Sequence, residues 1–115
     1  MFTKEAVWGR DSVGDVRFSA PNGIALDSSD NVYVTEFQGN RVQKFTADGK
    51  LLLGWGTSGS ENSQFRNPTG IALDLNDNVY VSESGNHRVQ KFTADGEWCR
   101  CQGKRSGISV ERLCQ

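Results

Sequence analysis

The stretch from Pro68 to Gly96, PTGIALDLNDNVYVSESGNHRVQKFTADG, decides the fold because the chain contains it twice. The earlier copy, from Pro21 to Gly49, reads PNGIALDSSDNVYVTEFQGNRVQKFTADG. The copies start at Pro21 and Pro68, so the period is 47 residues, and 21 of 29 positions are identical without a gap. A fixed period of about 20 to 50 residues is the signature of a solenoid or a propeller.

Each copy predicts short β-strands. In the second copy the runs GIALD, NVYVS and RVQKFT are rich in β-branched and aromatic residues, which suit a pleated surface. The pair Asp95-Gly96 follows them and favours a tight hairpin. In the first copy the strand after that hairpin is KLLLGW at 50–55. We therefore predict an all-β fold built from four-stranded antiparallel blades of a β-propeller.

The repeated pattern resembles the NHL repeat. It combines F-x-x-P-x-G-I-A-x-D, N-V-Y-V, N-H-R-V-Q-K-F and D-G, and runs from 65 to 96 in the second copy. The first copy, 18–49, has Gly39-Asn40-Arg41 where the second has Asn86-His87-Arg88. The resemblance covers roughly 8–103 and implies a propeller, in this family usually of about six blades.

The repeat divides the chain into two blades and three flanking segments. Trp8 precedes Trp55 by one period, so the N-terminal segment is expected to contribute an outer strand, Ala6-Val7-Trp8, to a preceding blade. The pattern is lost after Gly103. The predicted boundaries are 1–20 for the outer strand and its connection, 21–56 for the first repeat, 57–67 for a polar inter-blade loop, 68–103 for the second repeat, and 104–115 for a divergent tail, a candidate for disorder.

Two blades are expected to be an incomplete propeller. A blade has two apolar faces that its neighbours must cover, so stacked repeats generally need at least three units. We expect the chain to be part of a larger propeller. The alternative is that copies of the chain assemble into a closed ring, in which three chains would give six blades.

Composition and charge exclude several classes of protein. A length of 115 residues leaves room for one ordinary domain. The net charge of −1 is typical of a soluble globular protein. No apolar run approaches the roughly 20 residues that a membrane helix needs. The N-terminus, MFTKEAVWGR, lacks the apolar core of a secretory signal. We therefore expect a cytoplasmic protein that does not contact membranes.

The differences between the copies point to one loop. They fall at 22, 28, 29, 35 and 37–40, so they concentrate in the connection from the second to the third strand. Loops carried on a rigid scaffold often provide recognition. We predict a partner-binding surface there, formed by Glu36, Phe37, Gln38, Asn40, Arg41, Glu83, Ser84, Asn86, His87 and Arg88.

Phe37 is the strongest single candidate, because an aromatic side chain at a loop tip can anchor a partner protein. The alternative is that Phe37 packs on its own loop.

Arg41 and Arg88 recur one blade apart, as do Lys44 and Lys91. The resemblance makes RNA an alternative partner, because some animal NHL propellers of the tripartite-motif group bind RNA on a basic face. The net charge of −1 argues against this function, since nucleic-acid-binding domains tend to be markedly basic. In the structural interpretation, the arginines pair with carboxylates or carbonyls of neighbouring blades.

No metal or cofactor is expected. Asp27 and Asp30, like their repeats in the second copy, flank a turn that Asp and Asn cap. They lack the six to eight oxygens that calcium takes. Three cysteines with one histidine, His87, make no strong zinc signature, and an odd number argues against a complete disulfide framework, so buried or free thiols are predicted at Cys99, Cys101 and Cys114.

The sequence also lacks a catalytic set. An NHL-like lyase that completes peptide amidation uses several histidines around a metal, which a single histidine cannot supply. Any ubiquitin-ligase activity would need a RING region that this sequence does not contain. We therefore predict a non-catalytic module that binds a protein partner, with RNA binding as the alternative and a metal-dependent lyase fragment as a distant third.

Overall fold

The computed structural model describes residue 8 and residues 18–99 of the chain. These residues form strands and turns with no helix, so no helix among them could cross a membrane. The strands are β1 (Pro21–Leu26), β2 (Val32–Glu36), β3 (Arg41–Phe45), β4 (Leu51–Trp55), β5 (Thr57–Ser58), β6 (Gln64–Phe65), β7 (Pro68–Leu73), β8 (Val79–Glu83) and β9 (Arg88–Phe92).

Blade 1 is the antiparallel sheet β1-β2-β3-β4, in which each strand pairs with the next one along the chain. Its hairpins form where the sequence supplies turn residues. Asp30 and Gly49 adopt positive φ values of 67° and 90°, which Asp and Gly tolerate better than most residues. The pairing of Glu36 with Arg41 closes the β2–β3 hairpin.

Blade 2 repeats this arrangement as the antiparallel sheet β7-β8-β9. Its register matches that of blade 1, because Val81 pairs with Gln90 as Val34 pairs with Gln43. Beyond β9, the described residues show a single bridge, from Phe92 to Trp98. The predicted all-β fold of antiparallel blades is confirmed.

The connection between the blades differs from the loop that the sequence predicts. The short strands β5 and β6 pair in parallel within it. Phe65 at its end is fully buried. The reason is that Phe65 packs against Phe92 in a tilted arrangement, with ring centroids 5.5 Å apart, and so joins the connection to the core.

Each blade has two faces, which we name the leading face and the trailing face. The leading face of blade 1 carries Ile24, Leu26, Val32, Val34 and Phe45, and that of blade 2 carries Ile71, Leu73, Val79, Val81 and Phe92. The trailing face of blade 1 carries Tyr33, Thr35, Val42 and Lys44, and that of blade 2 carries Tyr80, Ser82, Val89 and Lys91.

The core lies between the two blades. Tyr33 and Val42 on the trailing face of blade 1 pack with Val79, Val81 and Phe92 on the leading face of blade 2, and all five are buried. Removing apolar surface from water contributes a free energy of about 25 cal/mol per Å², so burial of these side chains is the main contribution that holds the two blades together.

Trp8 occupies on blade 1 the place that Trp55 occupies on blade 2. The ring centroids of Trp8 and Phe45 are 5.3 Å apart, and those of Trp55 and Phe92 are 5.4 Å apart. Phe18 likewise lies 5.5 Å from Phe45. This placement is what an outer strand of a preceding blade requires. Residues 6 and 7 of that predicted strand lie outside the described residues. The part of the predicted fourth strand of blade 2 that follows Cys99 and the tail 104–115 also lie outside them.

Candidate functional site

The predicted site residues come together in two hairpin loops on one edge of the blades. The β2–β3 loop follows Glu36 and the β8–β9 loop follows Glu83. Asn67 connects the two loops, because its backbone N–H donates to Asn40 Oδ1 at 2.9 Å and the N–H of Ser84 donates to its carbonyl at 3.1 Å. Asn67 was not among the predicted site residues, because it lies in the connection between the blades.

Glu36 lies inside the first loop and is fully buried. Its carboxylate accepts hydrogen bonds from Arg41 Nε at 2.7 Å, from Gln43 Nε2 at 2.7 Å and from the backbone N–H of Ser19 at 2.9 Å. The carboxylate therefore stabilises the loop from within and does not face solvent.

Glu83 is buried in the second loop in the same way. Its carboxylate accepts from Arg88 Nε at 2.8 Å, Gln90 Nε2 at 2.9 Å, Asn86 Nδ2 at 2.6 Å and the N–H of Arg66 at 3.1 Å. Burial alone would raise the pKa of Glu83, but these hydrogen bonds, that of Arg88 first, lower the pKa overall. The carboxylate is thus held ionised at neutral pH.

Arg41 and Arg88 each form an ion pair with the glutamate of their own hairpin. Arg88 also donates from Nη1 and Nη2 to the backbone carbonyls of Ser60, Glu61 and Gln64 at 2.8 to 3.0 Å. A guanidinium with these partners positions the inter-blade connection against its own hairpin. Arg41 pairs with Glu36 of the same blade. These arginines are structural, although their carboxylate partners lie in their own hairpins and not in a neighbouring blade.

The remaining loop residues differ in exposure. Gln38, Ser84 and His87 are exposed, and Phe37 is half-buried. His87 adopts a φ of 54° and its repeat Asn40 a φ of 52°, a left-handed conformation in which His and Asn are enriched. The backbone thus explains these two residue types without a catalytic role.

We name the four side chains Phe37, Gln38, Ser84 and His87, together with Arg66, the loop surface. Arg66 is exposed, and its backbone lies against Gly85, where an added Cβ would come 2.7 Å from the Arg66 carbonyl oxygen. Arg66 was not among the predicted site residues, because it lies outside the two copies that were compared, 21–49 and 68–96. The available signal was its position directly before Asn67 and Pro68, at the entry to blade 2.

The aspartates on the opposite edge form turns. Asp27 accepts from the N–H groups of Ser29 and Asn31 and from the Tyr33 hydroxyl at 2.8 Å. Burial opposes ionisation, but these hydrogen bonds lower the pKa of Asp27. Burial at Tyr33 and the hydrogen bond to Asp27 raise the pKa of the phenol.

The repeat of Asp27 in blade 2 is Asp74, which has the same partners. It accepts from the N–H groups of Asn76 and Asn78 and from the Tyr80 hydroxyl at 2.9 Å. Burial again opposes ionisation, and the hydrogen bonds lower the pKa of Asp74 to about 2. Each carboxylate is thus engaged by its own turn, as capping predicts.

No group of three or more His, Cys, Asp or Glu side chains suitable for a metal occurs within the described part of the chain. Cys99 is buried, as predicted, but it is disulfide-bonded, so the expectation of a thiol is wrong at that position. Cys101 and Cys114 lie outside the described residues.

Comparison with known proteins agrees with this architecture. Two adjacent antiparallel blades with a common register are the structural unit of a β-propeller. The family model of the NHL repeat matches residues 18–45 and 65–92. The chain therefore contains two NHL repeats, one in each blade.

One solved structure with a similar fold is described as "Streptogramin B lyase structure". It is 24% identical to this chain, with a TM-score of 0.59, and the match covers 70% of this chain and 25% of the other. The chain thus spans about a quarter of that structure's length, and the likeness concerns the fold. No curated protein matches the sequence significantly.

Proposed function

We propose that the chain is a non-catalytic protein-interaction module that binds a protein partner through its loop surface. One observation carries this proposal. The two hairpin loops share the same Glu–Arg–Gln anchor, built on a buried glutamate, yet all four positions between Glu36 and Arg41 differ from those between Glu83 and Arg88. A constant interior with a varied exterior is the arrangement that recognition loops use.

The chemistry of the loop surface suits a protein partner. Phe37 offers a half-buried aromatic ring beside the exposed amide of Gln38, and Arg66 adds an exposed guanidinium. Aromatic and arginine side chains are the residues most enriched among binding hot spots. An extended peptide or a loop of another protein could contact these groups without displacing the buried anchors.

The buried anchors also weigh against RNA. The two arginines that recur at the repeat period are bound to Glu36 and Glu83, and Lys44 is buried over the ring of Tyr33. A phosphate backbone needs several free cations to release counterions, and these repeated cations are already engaged.

The experiment selects binding peptides from a random display library with the purified chain as target. We expect the selected peptides to lose at least tenfold in affinity to a Gln38→Arg/Ser84→Arg variant, because both substitutions place bulk on the loop surface. Ser29→Arg is the matched control, since Ser29 is an equally exposed serine in the turn on the opposite edge. Fluorescence anisotropy measures each affinity.

Two results would contradict the proposal. One is that Ser29→Arg weakens binding as much as the loop variant does, which would place the binding surface elsewhere. The other is that no peptide is selected while a random single-stranded 20-nucleotide RNA binds with an affinity that falls steeply with salt, which would favour RNA.

A further inference from the structure

Within the described residues, the two blades cover each other on one side only. The trailing face of blade 1 is buried by the leading face of blade 2. The two remaining faces are open in part, since Trp8 and Phe18 pack on the leading face of blade 1. Val42 on the trailing face of blade 1 is 0% exposed, whereas its repeat Val89 in blade 2 is 63% exposed. On the leading face of blade 1, Ile24 is 65% exposed and Leu26 is 56% exposed.

The open leading face forms a groove of about 490 Å³. Trp8 and Phe18 close it on one side, and Ile24, Leu26 and Val34 line its floor. In blade 2 the corresponding groove is filled by the trailing face of blade 1, with Tyr33 and Val42 fully buried in it. The structure therefore shows which kind of surface fits such a groove.

The open trailing face of blade 2 is that kind of surface. Its four side chains, Tyr80, Ser82, Val89 and Lys91, repeat the four of blade 1 with one change, from Thr35 to Ser82. The leading faces of the two blades carry the same five side chains without any change. One end of the molecule thus carries the complement of the other end.

The polar contacts of the internal interface can be repeated in part. Lys44 Nζ donates to the carbonyl of Ala94 at 2.9 Å across that interface. Lys91 lies 5.4 Å from the Tyr80 ring centroid, as Lys44 lies 5.1 Å from that of Tyr33. On a second copy, the carbonyl that repeats Ala94 belongs to Ala47.

Three polar contacts of the internal interface would be lost at the new one. Asn67 Nδ2 donates to the Phe37 carbonyl at 3.4 Å, and the repeat position of Asn67 is Ala20. The Asn67 N–H donates to Asn40 Oδ1, and the repeat of Asn40 is His87. The Ser28 hydroxyl donates to Asp77, and the repeat of Ser28 is Leu75. The apolar interior changes only by the methyl group that Thr35 has and Ser82 lacks, and burial of that interior supplies most of the free energy. We therefore expect a new interface that is weaker than the internal one.

We propose that a second copy of this chain docks its leading face of blade 1 onto the trailing face of blade 2, and that this head-to-tail contact repeats until a ring closes. Such an interface is heterologous, and heterologous contacts form rings when the rotation closes. Propellers contain about four to eight blades, so the ring holds two to four copies of this two-bladed chain.

The first measurement is the mass of the wild-type chain by light scattering across a concentration series. The monomer has a mass of 12.7 kDa, and we expect one assembled species of two, three or four times that mass. A monomer at every concentration up to about 1 mM, which corresponds to a binding free energy of only about −4 kcal/mol, would overturn the proposal. A mass that keeps growing with concentration would overturn ring closure.

The second measurement separates a head-to-tail contact from pairing of like faces. Ile24→Asp places a charge on the leading face of blade 1, and Val89→Asp places one on the trailing face of blade 2. Both residues are more than half exposed in the chain, so the substitutions leave the blades folded. Each variant alone is expected to be a monomer. A head-to-tail contact needs one leading and one trailing face, and in a sample of a single variant every such contact includes the substituted face.

A mixture of the two variants distinguishes the models most sharply. Ile24→Asp keeps an intact trailing face and Val89→Asp keeps an intact leading face, so an equimolar mixture gives a 1:1 dimer that grows no further. Ser29→Asp is the control, and it assembles like the wild type. A dimer formed by Val89→Asp alone, or a mixture that stays monomeric while circular dichroism shows folded β-structure, would overturn the proposal. If Ile24→Asp unfolds, Leu26→Asp replaces it at the same face.

Discussion

Blade 1 and blade 2 have nearly the same sequence but bury different halves of it. On the trailing faces, Val42 of blade 1 is inaccessible and Val89 of blade 2 is mostly exposed. On the leading faces the order is reversed, since Leu73 of blade 2 packs in the core and Leu26 of blade 1 is exposed. The two blades are thus a natural pair of controls for each other. The repeat therefore determines the shape of a blade, whereas the neighbouring blades determine how much each apolar side chain contributes to stability.

The largest expected effect concerns the aromatic residue that ends the third strand of each blade. Phe92→Ala removes a buried ring from the core between the blades, where Trp55 and Phe65 pack on it, and we expect a loss of about 4 kcal/mol in the free energy of unfolding. Phe45 is also buried, but it packs on Trp8 and Phe18, which line the groove on blade 1. Relaxation is easier there, so Phe45→Ala is expected to cost about 3 kcal/mol. Urea denaturation measures both, and a larger loss at Phe45 would contradict the comparison.

The next effect concerns the ion pair of blade 2, in which Glu83 is buried and Arg88 is half-buried. Arg88→Ala leaves the Glu83 carboxylate buried without its guanidinium, and we expect a loss of about 3 kcal/mol at pH 7. The double variant Arg88→Ala/Glu83→Gln removes the uncompensated charge and is expected to recover about half of that loss. A double variant less stable than Arg88→Ala would show that the cost comes from elsewhere.

The pH dependence of the same pair has a definite sign. In the wild type the pKa of Glu83 is lowered from 4.5, so the stability it contributes is present above pH 4.5 and is lost as the pH falls through the lowered value. Without Arg88, the carboxylate loses the hydrogen bond that lowers its pKa most, so we expect the pKa of Glu83 to rise. The difference in stability between wild type and Arg88→Ala therefore narrows as the pH falls from 7 toward 4.

The sharpest use of the comparison is a pair of identical substitutions. At a concentration where the chain is monomeric, Val42→Ala removes two buried methyl groups and is expected to cost about 2 kcal/mol. Val89→Ala at the repeat position is expected to cost less than about 0.5 kcal/mol, because its side chain is already in water. Equal losses at the two positions would mean that Val89 is covered in solution.

Much of the fold could be predicted, because a repeat supplies the same evidence twice. The β-branched runs, the Asp-Gly turns and the spacing of 47 residues all indicate four-stranded blades. The strands β5 and β6 could not be predicted, since two residues carry no periodicity. Exposed outer faces were expected for two blades, but the repeat alone could not show that Val89 lies on one and Val42 does not, because the sequence around the two residues is identical.

The candidate site could be predicted less well. The loops were located correctly, but Glu36 and Glu83 lie in the interior of their hairpins, and their carboxylates cannot touch a partner in this structure. A signal for their role was present in the sequence. Glu, Arg and Gln recur unchanged around each loop while every position between Glu and Arg varies, which is the pattern of an internal anchor. Whether the exposed loop residues bind a partner stays a prediction.

The smallest expected effect concerns the turn at which the two blades are most alike. Asp74 accepts hydrogen bonds from its own turn and from the Tyr80 hydroxyl, and its pKa is lowered to about 2 from 3.8. A carboxylate with a lowered pKa contributes stability that is fully present above pH 3.8 and is lost as the pH falls through about 2. Because solvent screens this turn, we expect Asp74→Asn to cost on the order of 1 kcal/mol at pH 6.

The pH series decides whether the carboxylate charge is responsible. Urea unfolding of wild type and Asp74→Asn is compared at pH 6, 4 and 2.5, and the difference in free energy of unfolding should shrink toward the acid end. Asp27→Asn should behave in the same way, because Asp27 has the same partners in blade 1. Asp48→Asn, in the exposed hairpin after β3, is the control and should change little. A difference that stays constant with pH would mean that the turn depends on the shape of the side chain and not on its charge.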